Sequence, residues 1–268
     1  MNELAIQSKL IEPGTLYFRC NICGGSSLTD ITSLARENAS CMLCGSNARL
    51  RAVIRTLSIE LFGKNLALPE LAVHKEITGL DMSGTDIYAG RLKEKFSYQN
   101  TYYHKEPLLD VAAKTLPSDK LESSDFVICS EVLEHVVPPV SRAFENIYKI
   151  LKPGGVVILT VPYGFIPQTI EHFPELYDFN LIRTNDGYRL RNVTEKGAVQ
   201  EFDHLIFHGG PGSTLEMRIF AETELLQHLH SVGFQDIKVH RTPDFTHGIW
   251  WPEPWSLPIS ARKAAPAS

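Results

Sequence analysis

Long apolar runs are missing from this 268-residue chain: no stretch of eighteen apolar residues occurs, so no membrane-spanning helix is expected. A basic surplus is missing too. Lysine and arginine total 26 against 31 aspartates and glutamates, a net charge of −5, whereas nucleic acid calls for a concentrated basic face. A nucleic-acid partner is therefore not expected. The opening residues MNELAIQSKLIEPG lack a charged stretch followed by an apolar run, so no secretory leader is expected and the cytoplasm is the expected address. Cysteine is scarce, and five thiols in a reducing compartment argue against disulfides. What is present, 43% hydrophobic and 21% charged residues, suffices for one well-buried domain and a small accessory unit.

Four of the cysteines form two CxxCG turns, Cys20–Cys23 and Cys41–Cys44, with seventeen residues between the pairs. This is zinc spacing. Two intervening residues let both sulfurs of a turn converge on one ion, and the glycine permits the tight knuckle. Four thiolates close a tetrahedral shell and leave no open position, so Cys20, Cys23, Cys41 and Cys44 are expected to hold a structural Zn2+. Metal binding then replaces the core that so short a segment lacks. Cys129, inside the apolar run Phe126–Cys129, reads as a buried strand residue.

The expected organisation is a zinc-ribbon unit over 1–47, a connecting helix within 48–73, an α/β domain over 74–262 and a tail over 263–268. In the connecting segment Leu50, Val53, Ile54, Leu57 and Leu61 recur at helical spacing from Ala48 to Phe62, and Gly63 ends the helix. Arginines 49, 51 and 55 on it read as a solvated face. From residue 75 onward short apolar runs alternate with helices. Strands are expected at 76–82, 97–103, 125–130 and 155–163, helices at 85–95, 140–151 and 221–232, and two closing strands at 234–241 and 255–262. This alternation predicts a doubly wound, mostly parallel sheet with its ligand outside the carboxyl ends of the strands. Residues 164–220 interrupt the rhythm and read as a lid or substrate wall.

The stretch DFVICSEVLEHV, then a helix, then LKPGGVVILTVPY resembles the class I S-adenosylmethionine-dependent methyltransferases, in particular the type 11 and 12 domains. The resemblance covers residues 74–262, and the zinc ribbon is similar to that of a methyltransferase subgroup with an N-terminal CxxC pair. It implies a seven-stranded Rossmann-like sheet ending in an antiparallel pair, with S-adenosylmethionine as cofactor. The implied cofactor loop is Gly79, Asp81, Met82, Ser83 and Gly84. This loop departs from the family's DxGxGxG pattern, keeping only Gly79 and Gly84 as glycines. The resemblance further implies His104 or Glu106 at the ribose hydroxyls, Asp110 at the adenine amino group, and Ser130 and Glu131 at the methionine end. Asp110 stands equally as a loop acid and Glu106 as a surface charge.

A hydroxyl acceptor needs a base, and histidine titrates in the right range. His135 is either a cap of the following helix or such a base. If residues 201–210 are extended, His204 and His208 share a face and are the other candidates. The aromatic segment Trp250–Trp255 suits stacking on a sugar or planar ring, or core packing. By resemblance, the expected activity is O-methylation of a small molecule or carbohydrate. The alternatives are an RNA methyltransferase docking through its zinc ribbon, and a non-catalytic binding protein with a decayed methyltransferase domain.

Overall fold

The computed structural model describes residues 14–265 except Pro211 and Ser213. The first thirteen residues, at the start of the expected zinc-ribbon unit, and residues 266–268 of the expected tail lie outside the described residues.

The amino-terminal unit is an antiparallel hairpin, β1 (Thr15–Arg19) and β2 (Ser26–Asp30), with the first CxxC knuckle as its connection. Gly24 and Gly45 close the two knuckles by donating to Cys20 O and Cys41 O at 2.8 and 2.9 Å. Both take positive φ, 77° and 69°, the conformation that favours glycine. Helix α1 (Ala48–Phe62) follows at once, capped by the Asn47 side chain at one end and left-handed Gly63 at the other. Its apolar stripe packs into one continuous cluster with Phe18 and Ile22 of the unit and Phe126, Val156 and Ile158 of the main sheet. The expected solvated arginine face is absent: Arg51 is fully buried, because the cysteine unit folds over that side of the helix.

The main sheet is built from β3 (His74–Met82), β4 (Phe96–Thr101) after helix α2 (Asp86–Lys95), β5 (Ser124–Ser130), and β6 (Leu151–Thr160) after helix α3 (Ser141–Ile150). An insertion carries three antiparallel strands, β7 (Asp178–Thr184), β8 (Gly187–Val193) and β9 (Val199–Phe202). Strand β10 (Arg218–Ala221), helix α4 (Glu222–Ser231), β11 (Phe234–Val239) and β12 (Ile259–Lys263) complete the chain. The order across the main sheet is β11-β12-β6-β5-β3-β4, with β3 to β6 mutually parallel and the last two strands antiparallel. The chain adds β4 on one side of β3 and β5 on the other, so the topological switch point lies at the carboxyl ends of β3 and β5.

The main sheet has six strands among the described residues where seven are expected. Beyond β4 only a single parallel bridge, Tyr102 with Leu108, occupies the seventh position. Residues 102–109 close on themselves, Tyr102 N–H donating to Pro107 O and Leu109 N–H to Tyr102 O, both at 2.9 Å. A parallel crossover needs about a dozen residues or more, and this turn is too short for one.

Leu133, Phe144, Ile147, Val157, Leu159 and Leu225 pack on the sheet face opposite α1, and Cys129 is buried among them as expected. The insertion has its own small core of Phe173, Leu176, Leu190, Leu215 and Met217. It returns onto the turn after β5, where Met217 N–H donates to Glu134 O (2.7 Å) and fully buried Arg218 donates to Leu133 O (2.7 Å). No helix among the described residues is long and apolar enough to cross a membrane.

Candidate functional site

The four cysteine sulfurs lie within 4.8 Å of one another, with Cys20–Cys44 and Cys23–Cys41 both at 3.7 Å. Metal–sulfur bonds of about 2.3 Å in a tetrahedron give a sulfur–sulfur edge of about 3.8 Å, so the donor set fits one four-thiolate ion. Ser46 Oγ near Cys20 (3.3 Å) and Ser27 Oγ donating to Cys41 (3.5 Å) orient two of the sulfurs.

At the end of β3 the residues expected in the cofactor loop divide into two groups. Gly79 lies inside the strand beneath Phe126, where a Cβ would come within 2.0 Å of the ring. Met82 is a core residue at 5% exposure. The Asp81 carboxylate is fully buried and accepts from Tyr98 Oη at 2.8 Å; burial pushes its pKa up to about 7, against the hydrogen bonds of Tyr98 and Tyr88. All three are packed into the strand and its surroundings and are closed to solvent at their side chains or Cα. Ser83 and Gly84 form the accessible turn. Ser83 takes φ 60°, a conformation usually held by glycine, its N–H donates to Thr101 O, and Gly84 N–H donates to Asn100 Oδ1. These two hydrogen bonds hold Ser83 in a backbone conformation that glycine would adopt more readily.

After β4, His104, Glu106 and Asp110 are all exposed. Glu106 accepts from Leu108 N–H (3.0 Å), and Asp110 from Ala112 N–H (2.8 Å), so each shapes its own loop while keeping a free oxygen edge.

At the end of β5, Ser130 and Glu131 sit under two arginines of the amino-terminal unit. Arg36 makes a two-pronged pair with Glu131 at 2.6 and 3.0 Å, and Arg49 Nη1 donates to Ser130 Oγ at 2.6 Å. Burial pushes the Glu131 pKa up, and Arg36 and Arg49 outweigh it and hold the carboxyl below its usual range. Glu131 takes φ 57°, a strained turn for a non-glycine residue. No local pattern in the sequence signals that Arg36, ninety-five residues away, is its partner.

Three residues further on, the Glu134 carboxylate is fully buried and neither oxygen has a hydrogen-bond partner. Burial, and the charge of Glu131, push its pKa well above the carboxylate range. His135 Nε2 is 3.6 Å from Glu134 Oε1, and its Nδ1 lies 2.9 Å from Leu215 O. A carbonyl only accepts, so Nδ1 carries the proton and Nε2 keeps its lone pair. Burial lowers the His135 pKa. The His208 ring meets His135 edge to face at 4.8 Å, and Nε2 of His208 lies 3.0 Å from Glu216. The other Glu216 oxygen meets His172 at 2.9 Å. Glu134, His135 and His208 present one donor atom each within 4.8 Å of one another.

His204 does not join them. Residues 203–206 leave the strand conformation between β9 and Phe207, so His204 and His208 do not alternate along one strand as expected. His204 instead lines a cavity of about 230 Å³ with His172, Phe173, Phe202, Asp203 and Glu216. Glu216, absent from the expected site, connects this cavity to His208.

The segment from the end of α1 through β6 holds the switch point, the β3 turn and the Ser130–His135 turn together. Residues 62–159 match the family model of the methyltransferase domain. The cysteine unit and the insertion lie outside this methyltransferase-domain match. A stretch of 106 residues is 30% identical to a ubiquinone biosynthesis O-methyltransferase of Pseudomonas fluorescens, covering 40% of each chain. A stretch of 101 residues is 30% identical to the enzyme of the same name from Pseudomonas entomophila, covering 38% of each. The matched stretch thus spans about two-fifths of the length of these relatives. Among solved structures, the amino pentose methyltransferase CalS10 from Micromonospora echinaspora is 15% identical, covers 82% of this chain and 93% of its own, and gives a TM-score of 0.43.

The residues at the switch point fit the cofactor of such a domain. The accessible Ser83–Gly84 turn, the exposed Asp110 carboxylate and the Arg36, Arg49 and Glu131 charges match an adenosine ligand with a zwitterionic amino-acid end.

Proposed function

We propose that this protein is an S-adenosylmethionine-dependent methyltransferase that methylates a hydroxyl of a small-molecule or carbohydrate acceptor, with Cys20, Cys23, Cys41 and Cys44 holding a structural zinc ion. One observation carries the reading. Within the six residues Ser130 to His135, the carboxyl end of β5 presents a charged edge suited to the cofactor and, beside it, a buried carboxylate–imidazole cluster suited to a proton. The O-methyltransferase names of the partial relatives support the hydroxyl acceptor. A cytoplasmic address and the absence of a nucleic-acid partner belong to the same reading.

Bound S-adenosylmethionine supplies a methyl group already activated for displacement, so alignment is the main task left to the protein. In this reading Ser83 and Gly84 cradle the cofactor beside the strand end, Asp110 holds the adenine end, and His104 or Glu106 the ribose. The cavity beside His172 and His204 receives the acceptor, with Phe173 and Phe202 as its apolar wall and Asp203, His204 and Glu216 as polar groups, Glu216 being its link to His208. His135 is neutral at pH 7 and takes the hydroxyl proton on Nε2, beside the protonatable Glu134. His208 orients that ring, and Glu216 orients His208.

Transfer of a labelled methyl group to small hydroxylated acceptors tests this. His135→Ala is expected to lower turnover about 100-fold or more, within the range of general-base catalysis. Asp110→Ala is expected to weaken cofactor binding in a calorimeter. Undiminished turnover and unchanged affinity would remove those two assignments.

A second reading rests on the two unpartnered Glu134 oxygens. One carboxylate and two imidazoles also form a divalent transition-metal donor set, and a cation there would acidify the acceptor hydroxyl directly. Chelation decides between them. Activity lost to a chelator and restored by Mn2+, with the cysteine-bound zinc retained, favours the cation; chelator-insensitive activity favours the imidazole base.

A further inference from the structure

The cysteine unit reaches the carboxyl edge of the sheet through two side chains. Arg36 follows a one-turn helix (Ile31–Leu34) between the knuckles, and Arg49 stands at the start of α1, directly after the second knuckle. Both side chains are mostly buried, at 19% and 14% exposure. Glu37 ties them together: Arg49 Nε and Nη2 donate to it at 2.7 and 2.8 Å, and Arg36 Nη1 also reaches it. Arg36 Nε donates to Ser256 O at 2.8 Å. Two guanidinium groups thus face two carboxylates, Glu37 and Glu131, with no net charge left over.

The unit is locked in this position by Arg51. Its guanidinium lies over the Phe18 ring at 4.6 Å and donates to Ser40 Oγ (2.8 Å) and Ser46 Oγ (3.1 Å) from the cysteine unit and Gly248 O (2.7 Å) from the distal loop. No cysteine sulfur is among the partners of Ser130 or Glu131. The knuckles act on the edge only through the loop and helix start that they fold.

We propose that the metal-loaded cysteine unit is a working part of the cofactor site: it holds Arg36 and Arg49 to receive the α-carboxylate of the cofactor's amino-acid end, while Glu131 receives its α-ammonium. This rests on the cofactor reading above. An amino-acid zwitterion presents the charges of the Arg36–Glu131 pair in reverse order, so it opens that pair without stranding either partner, which a singly charged ligand does not do. The cysteines are positioning residues. Loss of their metal or oxidation of their thiols lowers affinity for the amino-acid end and leaves the adenosine subsite in place.

The test is calorimetry on the full chain with two probes that share an adenosine: S-adenosylhomocysteine, which carries the amino-acid end, and 5′-methylthioadenosine, which lacks it. Arg36→Ala and Arg49→Ala are each expected to weaken S-adenosylhomocysteine at least tenfold while 5′-methylthioadenosine stays within twofold. Zinc-stripped protein that keeps its circular dichroism spectrum is expected to show the same split. Arg36→Lys and Arg49→Lys serve where the alanine variants fail to fold, and are expected to shift only the first probe. If the arginine variants change neither probe, or weaken both equally, the proposal is overturned and the cofactor reading stands. If the unaltered protein binds neither probe, the cofactor reading falls and takes the proposal with it.

Discussion

Arg36 of the cysteine unit and Glu131 at the end of β5 form a two-pronged ion pair at 2.6 and 3.0 Å, across ninety-five residues of chain. The pair joins the segment that most resembles an accessory unit to the edge where the sheet presents its ligand. The continuous apolar cluster from Phe18 through α1 to Phe126 makes the same connection in the core.

That continuity bears on metal removal. Cys20→Ser is expected to abolish stoichiometric zinc and to lower the melting temperature of the whole chain in one transition, since the unit and the sheet share a core. Metal analysis and a thermal melt check this. Zinc retained at full stoichiometry removes Cys20 from the ligand set.

Gly79 is expected to tolerate no side chain. A Cβ there meets Phe126 at 2.0 Å, and that ring is itself fully buried, so Gly79→Ala is expected to cost roughly 1–3 kcal/mol of overpacking in a urea melt. The double variant Gly79→Ala, Phe126→Leu is expected to recover part of the loss, whereas a cofactor-contact role would give no such recovery in stability.

Asp81 sets a pH dependence. Its folded-state pKa, about 7, lies above the ordinary carboxylate value, so the folded chain binds the proton more tightly than the unfolded one. Its contribution to stability is therefore full below about pH 4 and declines as pH rises to about 7, by roughly 4 kcal/mol as an upper bound. Denaturant melts across this window are expected to show a smaller decline with pH in Asp81→Asn than in the unaltered protein. Parallel curves would contradict the assignment.

Arg218 anchors the insertion. It is fully buried, paired with Glu171 at 2.7 Å and bonded to Leu133 O next to Glu134. Arg218→Met is expected to destabilise by up to about 3–5 kcal/mol, the range for breaking a buried pair. Hydrogen exchange is expected to speed up in residues 164–220 and at the Glu134–His135 turn. Exchange confined to other regions would count against this anchoring role.

Much of the fold was legible in the sequence because it is written locally. The 3.6-residue period from Leu50 to Leu61 with Gly63 behind it gave helix bounds that the structure reproduces, and the β-branched run before Tyr163 marked a central strand. The sheet edge and the site were less legible. The expected seventh strand fails because residues 102–109 hydrogen-bond to themselves, and an apolar LLDV segment looks the same in either case. Arginines 49 and 51 were expected in solvent because basic residues on an amphipathic helix usually are. Which face another unit covers is not a property of the helix.

By itself the sequence determined the four-thiolate spacing, the alternation of strands and helices, and the SEVLEH turn at the end of a buried strand. These depend on neighbours within a few residues, where backbone geometry and side-chain period act directly. Only the tertiary structure decided which charges meet. It set Arg36 on Glu131 and Arg49 on Ser130, left the Glu134 carboxylate without a hydrogen-bond partner, and joined His135 to His208 and Glu216 through the returning insertion. Burial and long-range pairing set the charge state of each group, and both arise only when distant segments pack together.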